Sequence, residues 1–208
     1  MNEKYLLEKS LGQIALEKAY QSIFPNKCLF CRKVLGGLGE ITCGDCTEAY
    51  AFCDYDEEVV RHVIFRFKYE GKRMLARPMA ELMSRRLEDV SADCLVCVPL
   101  HQNRLKQRGF NQAALLATEL SRLFGITAYD GMVRTRDTAR QFDLGREERV
   151  ANVAGAFALK DEFCVDGKKV LLVDDVLTTG TTTTECAKVL AAAGAKAVEV
   201  VAFAVSVL

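Results

Sequence analysis

The stretch Val170–Glu185, VLLVDDVLTTGTTTTE, constrains this chain more than any other feature. It opens with four apolar, β-prone residues, Val170 to Val173, the mark of a strand buried on both faces. Asp174 and Asp175 then end that strand. Two adjacent carboxylates at a strand terminus are costly unless cationic or hydroxylated groups meet them. Thr178-Thr179-Gly180-Thr181-Thr182 follows and leads into a helix. Gly180 permits a backbone conformation that a β-carbon would resist, so successive N–H groups can turn inward around an anion. The helix N-terminus adds partial positive charge, and the threonine hydroxyls can donate further bonds. A threonine cap on an ordinary helix is the plainer alternative, but it leaves the acidic pair unexplained. The GxxxxGK[ST] pattern of a nucleoside-triphosphate loop is absent.

The rest of the chain supplies elements of matching type. Residues 5–23 carry apolar positions at helical spacing. A second amphipathic helix starts from Asp56, with Val59, Val60, Val63, Ile64 and Phe67 on one side, and a third runs from about Lys72 to Leu87. Leu95–Val98 is a short buried strand closed by Pro99, and Asn111–Phe124 is a helix stopped by Gly125. Residues 126–133, 154–159 and 197–205 read as strands. The helix after the threonine turn runs to Ala193 and is capped by Gly194. Strands alternating with helices predict an α/β fold, a mostly parallel twisted sheet flanked by helices. Ligands in such sheets sit beyond the carboxyl ends of strands at a topological switch point, where Pro99 and Asp174 both fall.

A second anion site is legible after the first core strand. His101, Arg104, Lys106 and Arg108 precede Gly109, which is read as opening a helix with Asn111 and Gln112 in its first turn. Formal net charge is zero, yet Arg61–Arg108 holds eleven Lys or Arg against five Asp or Glu. That +6 suits a phosphate-rich ligand or nucleic acid, and equally a solvated helix surface.

Nine cysteines are many for a chain without the even spacing of a secreted disulfide framework. Cys28-x2-Cys31 and Cys43-x2-Cys46 form two knuckles that can turn four thiolates on one tetrahedral Zn²⁺. Residues 27–53 lack an apolar period, so a structural metal would supply the folding energy they need. A redox role for either pair is the weaker reading, since neither sits between a strand and a helix. Cys94 and Cys97 mimic the spacing but lie within a predicted strand, as small buried hydrophobes. The expected division is therefore an N-terminal helix with a four-cysteine zinc finger over residues 1–54, and an α/β domain over residues 55–208. No stretch reaches the 18 to 20 apolar residues, roughly, of a membrane span. The N-terminus lacks a signal-peptide core, which predicts a cytoplasmic protein.

VLLVDDVLTTGTT resembles the phosphoribosyl-pyrophosphate motif of type I phosphoribosyltransferases. VPLHQNRLKQRGFNQA, together with RTRDTARQFDLGREERVANVAGAF over Arg134–Phe157, is similar to the ComF family of competence-associated, phosphoribosyltransferase-like proteins. The second stretch carries Arg136, Thr138, Gln141, Leu144, Arg149 and Asn152 of that family's pattern. The resemblance implies a type I phosphoribosyltransferase-like fold. It implies that Asp174 and Asp175 hold ribose hydroxyls and act as the catalytic pair, while Thr178, Thr179, Gly180, Thr181 and Thr182 cradle the 5-phosphate. It implies Mg²⁺ bridging ribose hydroxyls and pyrophosphate. Leu100, His101, Arg104 and Arg108 fall on the pyrophosphate side. Residues 134–153 take the place of a flexible hood, with Arg136, Arg140, Arg146 and Arg149 closing on the pyrophosphate or, alternatively, solvated and paired with nearby acids. Lys68, in FKYEGK, matches a family lysine and reads more simply as a surface residue. The family further implies a role in DNA uptake, with single-stranded DNA and recombination proteins as possible partners. Two functions follow from it: a transferase acting on an unspecified acceptor, or a non-catalytic sensor of phosphoribosyl pyrophosphate or binder of single-stranded DNA.

Overall fold

The computed structural model describes residues 49–87, 91–137 and 152–206. In chain order these form β1 (Ala49–Asp54), α1 (Glu58–Tyr69), a 3-10 turn (Arg73–Leu75), α2 (Ala76–Ser84), β2 (Cys94–Cys97), α3 (Gln102–Arg108) and α4 (Gln112–Phe124). β3 (Ala128–Tyr129), β4 (Met132–Arg134), β5 (Phe157–Leu159), β6 (Lys169–Leu177), α5 (Thr181–Ala192) and β7 (Ala197–Val205) follow. Five strands make one sheet in the order β1-β7-β6-β2-β3, with every pairing parallel. β4 and β5 form a separate antiparallel ribbon. This is the mostly parallel sheet flanked by helices that the alternating pattern predicts.

Burial follows from the sheet's position. All four residues of β2 and Val170–Val173 of β6 are buried, as expected for central strands covered on both faces. Each fully buried Leu or Val there contributes about 1.5–3 kcal/mol. α2 and α4 pack together against one face, and α5 covers the other near β6 and β7. Cys94 and Cys97 are buried within β2, as small apolar residues should be.

Several local expectations are corrected. Sequence alone assigns residues 49–54 to the N-terminal unit, yet they form β1, paired with β7 from Ala49↔Val200 to Asp54↔Val205. The expected strand 126–133 is two strands, β3 in the main sheet and β4 in the ribbon. The expected helix 72–87 is a 3-10 turn followed by α2. Gly109 does not open a helix. With φ 74° it closes α3, donating its N–H to Leu105 O, and Asn111 starts α4 instead. The expected helix over 5–23 and the four-cysteine cluster lie outside the described residues.

The chain order places the ligand site. From β2 the chain moves outward to β3; from β6 it moves the other way to β7. The switch point therefore lies between β2 and β6, and the crevice opens beyond their carboxyl ends.

Candidate active site cleft

A cleft of about 480 Å³ occupies that position, within the roughly 300–1,000 Å³ typical of small-molecule sites. Its walls come from the end of β2 (Val98, Pro99, Leu100), α3 (Arg104, Arg108), the end of β6 with the loop into α5 (Asp174 to Thr178, Gly180 to Thr183), α1 and Arg134. Of the residues singled out in sequence, the cleft brings together Leu100, Arg104, Arg108, Asp174, Asp175, Thr178, Gly180, Thr181 and Thr182. Thr179 and His101 are not among the residues that line it. The Thr179 hydroxyl is engaged with that of Thr181 at 2.7 Å, and His101 caps α3 by accepting the Asn103 N–H at Nδ1. Arg136 donates to the carbonyl of Ala154. Arg140, Arg146 and Arg149 lie outside the described residues.

The threonine turn has the geometry its glycine requires. Gly180 adopts φ 68°, ψ 0° at the start of α5, a left-handed conformation that costs an L residue about 1–2 kcal/mol. The Gly180 carbonyl accepts from the hydroxyls of Thr183 (3.0 Å) and Thr184 (2.7 Å) and from the Thr184 N–H (2.8 Å). These bonds fix the first turn of α5, whose leading residues Thr181 to Thr183 line the cleft.

The acidic pair departs from expectation in one respect. β6 does not end at Asp174 but continues through it to Leu177, with Asp174 opposite Ala202 and Val176 opposite Ala204. Side chains alternate along a strand, so the two carboxyls leave β6 in different directions, yet both line the cleft. Asp175 meets Lys68: Nζ lies 2.8 Å from Oδ2. Asp174 lies within the electrostatic reach of Arg134 and of Cys186 on α5, and its Oδ1 accepts the Asp175 N–H at 2.8 Å. Burial first, and the Asp175 carboxylate second, push the Asp174 pKa well above the usual carboxylate range; the Asp175 N–H and Lys68 oppose this. Burial disfavours the Lys68 ammonium, but the Asp175 carboxylate, with Asp174 behind it, more than offsets that and holds its pKa above the ordinary lysine value. Lys68 is thus a cleft residue and not the surface lysine that the sequence favoured.

Arg134 was missed in the sequence. It is only 5% exposed, stacks over the Phe157 ring at 5.4 Å and reaches the cleft wall from β4. Burial, and then the nearby Arg104 guanidinium, bring its pKa down to about 10, so it keeps its charge at neutral pH. Two guanidiniums that repel each other across a sheltered cleft make an anion site. Arg108 completes this side, with its guanidinium 5.2 Å from the Tyr69 ring centroid and donating to Gln112 Oε1 at 3.1 Å. Asn111 pins the loop behind: Nδ2 donates to Val98 O at 2.9 Å, while Oδ1 caps α4 at the Ala113 N–H. The signal for Arg134 was the strand pairing of Met132–Arg134 with Phe157–Leu159, a long-range contact.

Among the described residues no group of three or more His, Cys, Asp or Glu is placed to hold a metal ion, and no helix is long and apolar enough to cross a membrane. The buried thiols are unreactive by environment. Burial and then Asp130 push Cys97 up to about 12, and burial followed by Asp174 pushes Cys186 well above its ordinary value.

Comparison with known proteins agrees with this geometry. The phosphoribosyl transferase domain family matches residues 74–207. Competence protein F of Haemophilus influenzae is 34% identical over 149 residues, covering 66% of this chain and 64% of that protein. DNA utilization protein YhgH of Escherichia coli is 38% identical over 146 residues, covering 66% of this chain and 63% of that protein. Competence protein ComFC of Streptococcus pneumoniae is 27% identical over 192 residues, covering 83% and 84% respectively. The matched part thus spans just under two thirds of the first two relatives. The chain belongs to the phosphoribosyl transferase domain family and, within it, to the ComF family.

Proposed function

We propose that the cleft binds phosphoribosyl pyrophosphate together with Mg²⁺, and that the protein is a phosphoribosyltransferase acting in DNA uptake. The observation that carries this reading is the arrangement of opposite chemistries around one crevice. A glycine-started helix turn, an acidic pair and the side chains of Arg104, Arg108 and Arg134 all line it. A 5-phosphate suits the N–H groups and hydroxyls of Thr178 to Thr182. A ribose diol donates to Asp174 and Asp175. A pyrophosphate needs the guanidiniums and the backbone at Leu100. The donor set also fits Mg²⁺: the cleft offers hard carboxylate oxygens, few in number, and a phosphate-rich ligand would complete the shell. When bound, the metal would neutralise charge on the departing pyrophosphate. The chain's own residues would position the ribose and hold the leaving group.

Cys28, Cys31, Cys43 and Cys46 are proposed to hold a structural Zn²⁺, on the strength of their spacing. The DNA-uptake role rests on the names of the relatives, competence and DNA utilization proteins. Single-stranded DNA and recombination proteins are the partners this role would bring.

The test is calorimetry with phosphoribosyl pyrophosphate and Mg²⁺, followed by pyrophosphate release across a panel of nucleobases. Asp174→Asn with Asp175→Asn is expected to weaken binding by about 100-fold or more, since two charge-assisted bonds are lost. Unchanged affinity in that double variant would remove the assignment of the cleft. Binding without release for any acceptor would leave a donor-binding protein and remove the transferase.

A further inference from the structure

Gln112 is buried where an apolar residue would be the ordinary choice. It heads the buried strip of α4, which continues through Ala113, Leu116, Ala117 and Leu120, and it is only 2% exposed. Its amide is half satisfied. Oε1 accepts from Arg108 Nη1 at 3.1 Å, while Nε2 is buried with no hydrogen-bond partner among the described residues. A buried donor without an acceptor costs stability, so packing does not account for this side chain. Contact with a ligand does not account for it either, because Gln112 is not among the residues that line the cleft.

What the amide does touch is Arg108, which lines the cleft. This arginine ends α3 just before the left-handed turn at Gly109, and it is half-buried. Its charge is close enough to Lys68 to oppose the lysine's own. A long, flexible side chain under that repulsion gains by swinging out into water. Two contacts hold it back: the Gln112 carbonyl takes one N–H, and the Tyr69 ring centroid lies 5.2 Å from the guanidinium. The amide cannot be turned over, because its NH₂ would then face another donor. Arg108 has five N–H donors, so a guanidinium held in this way can still fork onto an anion.

We propose that Gln112 is a positioning residue: its side-chain carbonyl holds the Arg108 guanidinium in place for the diphosphate of the ligand, without touching that ligand itself. This rests on the proposed binding of phosphoribosyl pyrophosphate. It divides the labour of the RGFNQ stretch, with Arg108 meeting the ligand and Gln112 keeping that arginine in the cleft.

The test uses the full chain and Gln112→Met, which keeps the side chain's length and removes both polar atoms. Gln112→Met should be at least as stable as wild type, since the unpartnered N–H is gone. In the unliganded protein, nuclear magnetic resonance of the Arg108 guanidinium should show slow rotation about Nε–Cζ in wild type. Rotation should be about tenfold faster in Gln112→Met, where a hydrogen bond to a charged group is lost. In calorimetry with Mg²⁺, Gln112→Met should bind phosphoribosyl pyrophosphate about tenfold more weakly, because the arginine is no longer pre-organised. Binding of ribose 5-phosphate, which lacks the diphosphate, should not change. On an Arg108→Met background the same exchange should cost nothing further, a result that general loosening of the fold would not give. Fast rotation in wild type, unchanged rotation in Gln112→Met, equal loss for the two ligands, or a further loss on top of Arg108→Met overturns the proposal. Wild type that binds no phosphoribosyl pyrophosphate removes the reading of the cleft and this proposal with it. Wild type that binds, with any of the other contrary results, removes the role of Gln112 alone.

Discussion

Asp174 carries its carboxyl into a part of the cleft where burial and the Asp175 charge both oppose ionisation. Its pKa is therefore higher in the fold than in the unfolded chain. The stability this contributes is fully present below the ordinary carboxylate pKa and is lost as pH rises through the elevated one. Asp174→Asn, which cannot ionise, should gain on wild type as pH climbs from about 4 to neutrality, by about 1 kcal/mol or more. Melting curves across that range check it, and parallel pH profiles for the two proteins would contradict it. The residue type was readable in the sequence, since an acidic pair after a buried strand demands partners. The identity of those partners was not. Lys68 lies on α1 and Arg134 on β4, far from Asp174 in sequence, and only the folded chain brings them to one cleft.

At the scale of elements, what was legible is what has a long period. α4 and β2 fall close to their expected places because thirteen amphipathic residues and a closed apolar run leave little choice. α3 was missed: seven residues, QNRLKQR, with no buried position give no periodic signal. Missing it made Gly109 look like a beginning when it is an end. β6 was read too short because aspartate is unfavourable in strands, and here the pairing with β7 overrides that preference. The loop between β2 and α3 depends on Asn111, which caps α4 with one side-chain atom and ties Val98 O with the other. Asn111→Ala loses both contacts and should cost about 1–2 kcal/mol in chemical denaturation. Asn111→Asp keeps the cap but loses the donor to Val98 O, so it should recover part of that stability. Equal stability for the two variants would mean that the cap on α4 contributes nothing, and wild-type stability for Asn111→Asp would mean that the tie to Val98 contributes nothing.

For the whole molecule, the division into two units is drawn by composition, while the sheet is drawn by pairing. β1 follows Cys46 by only three residues and docks parallel on β7 along its length. A metal held by Cys28, Cys31, Cys43 and Cys46 would thus sit at the entrance to an edge strand of the main sheet. The expected outcome is a single Zn²⁺ per chain by metal analysis. Chelation should lower the melting temperature of the whole protein as well as loosen its N-terminal part. Full stability after zinc removal, or no zinc at all, would contradict this.

The passage of β6 through its acidic pair has a last consequence. Asp174 and Asp175 are the same amino acid, one peptide bond apart, yet strand alternation gives one a lysine for company and leaves the other short of its proton-free form. No difference in side-chain chemistry was needed to make them unlike; the pleat sorts them. Reading frame along the strand is then a functional variable in its own right. Removing a residue between Lys169 and Val173 would bring Asp175 to the place of Asp174 and Val176 to the place beside Lys68, emptying the lysine's contact without altering any residue in the site.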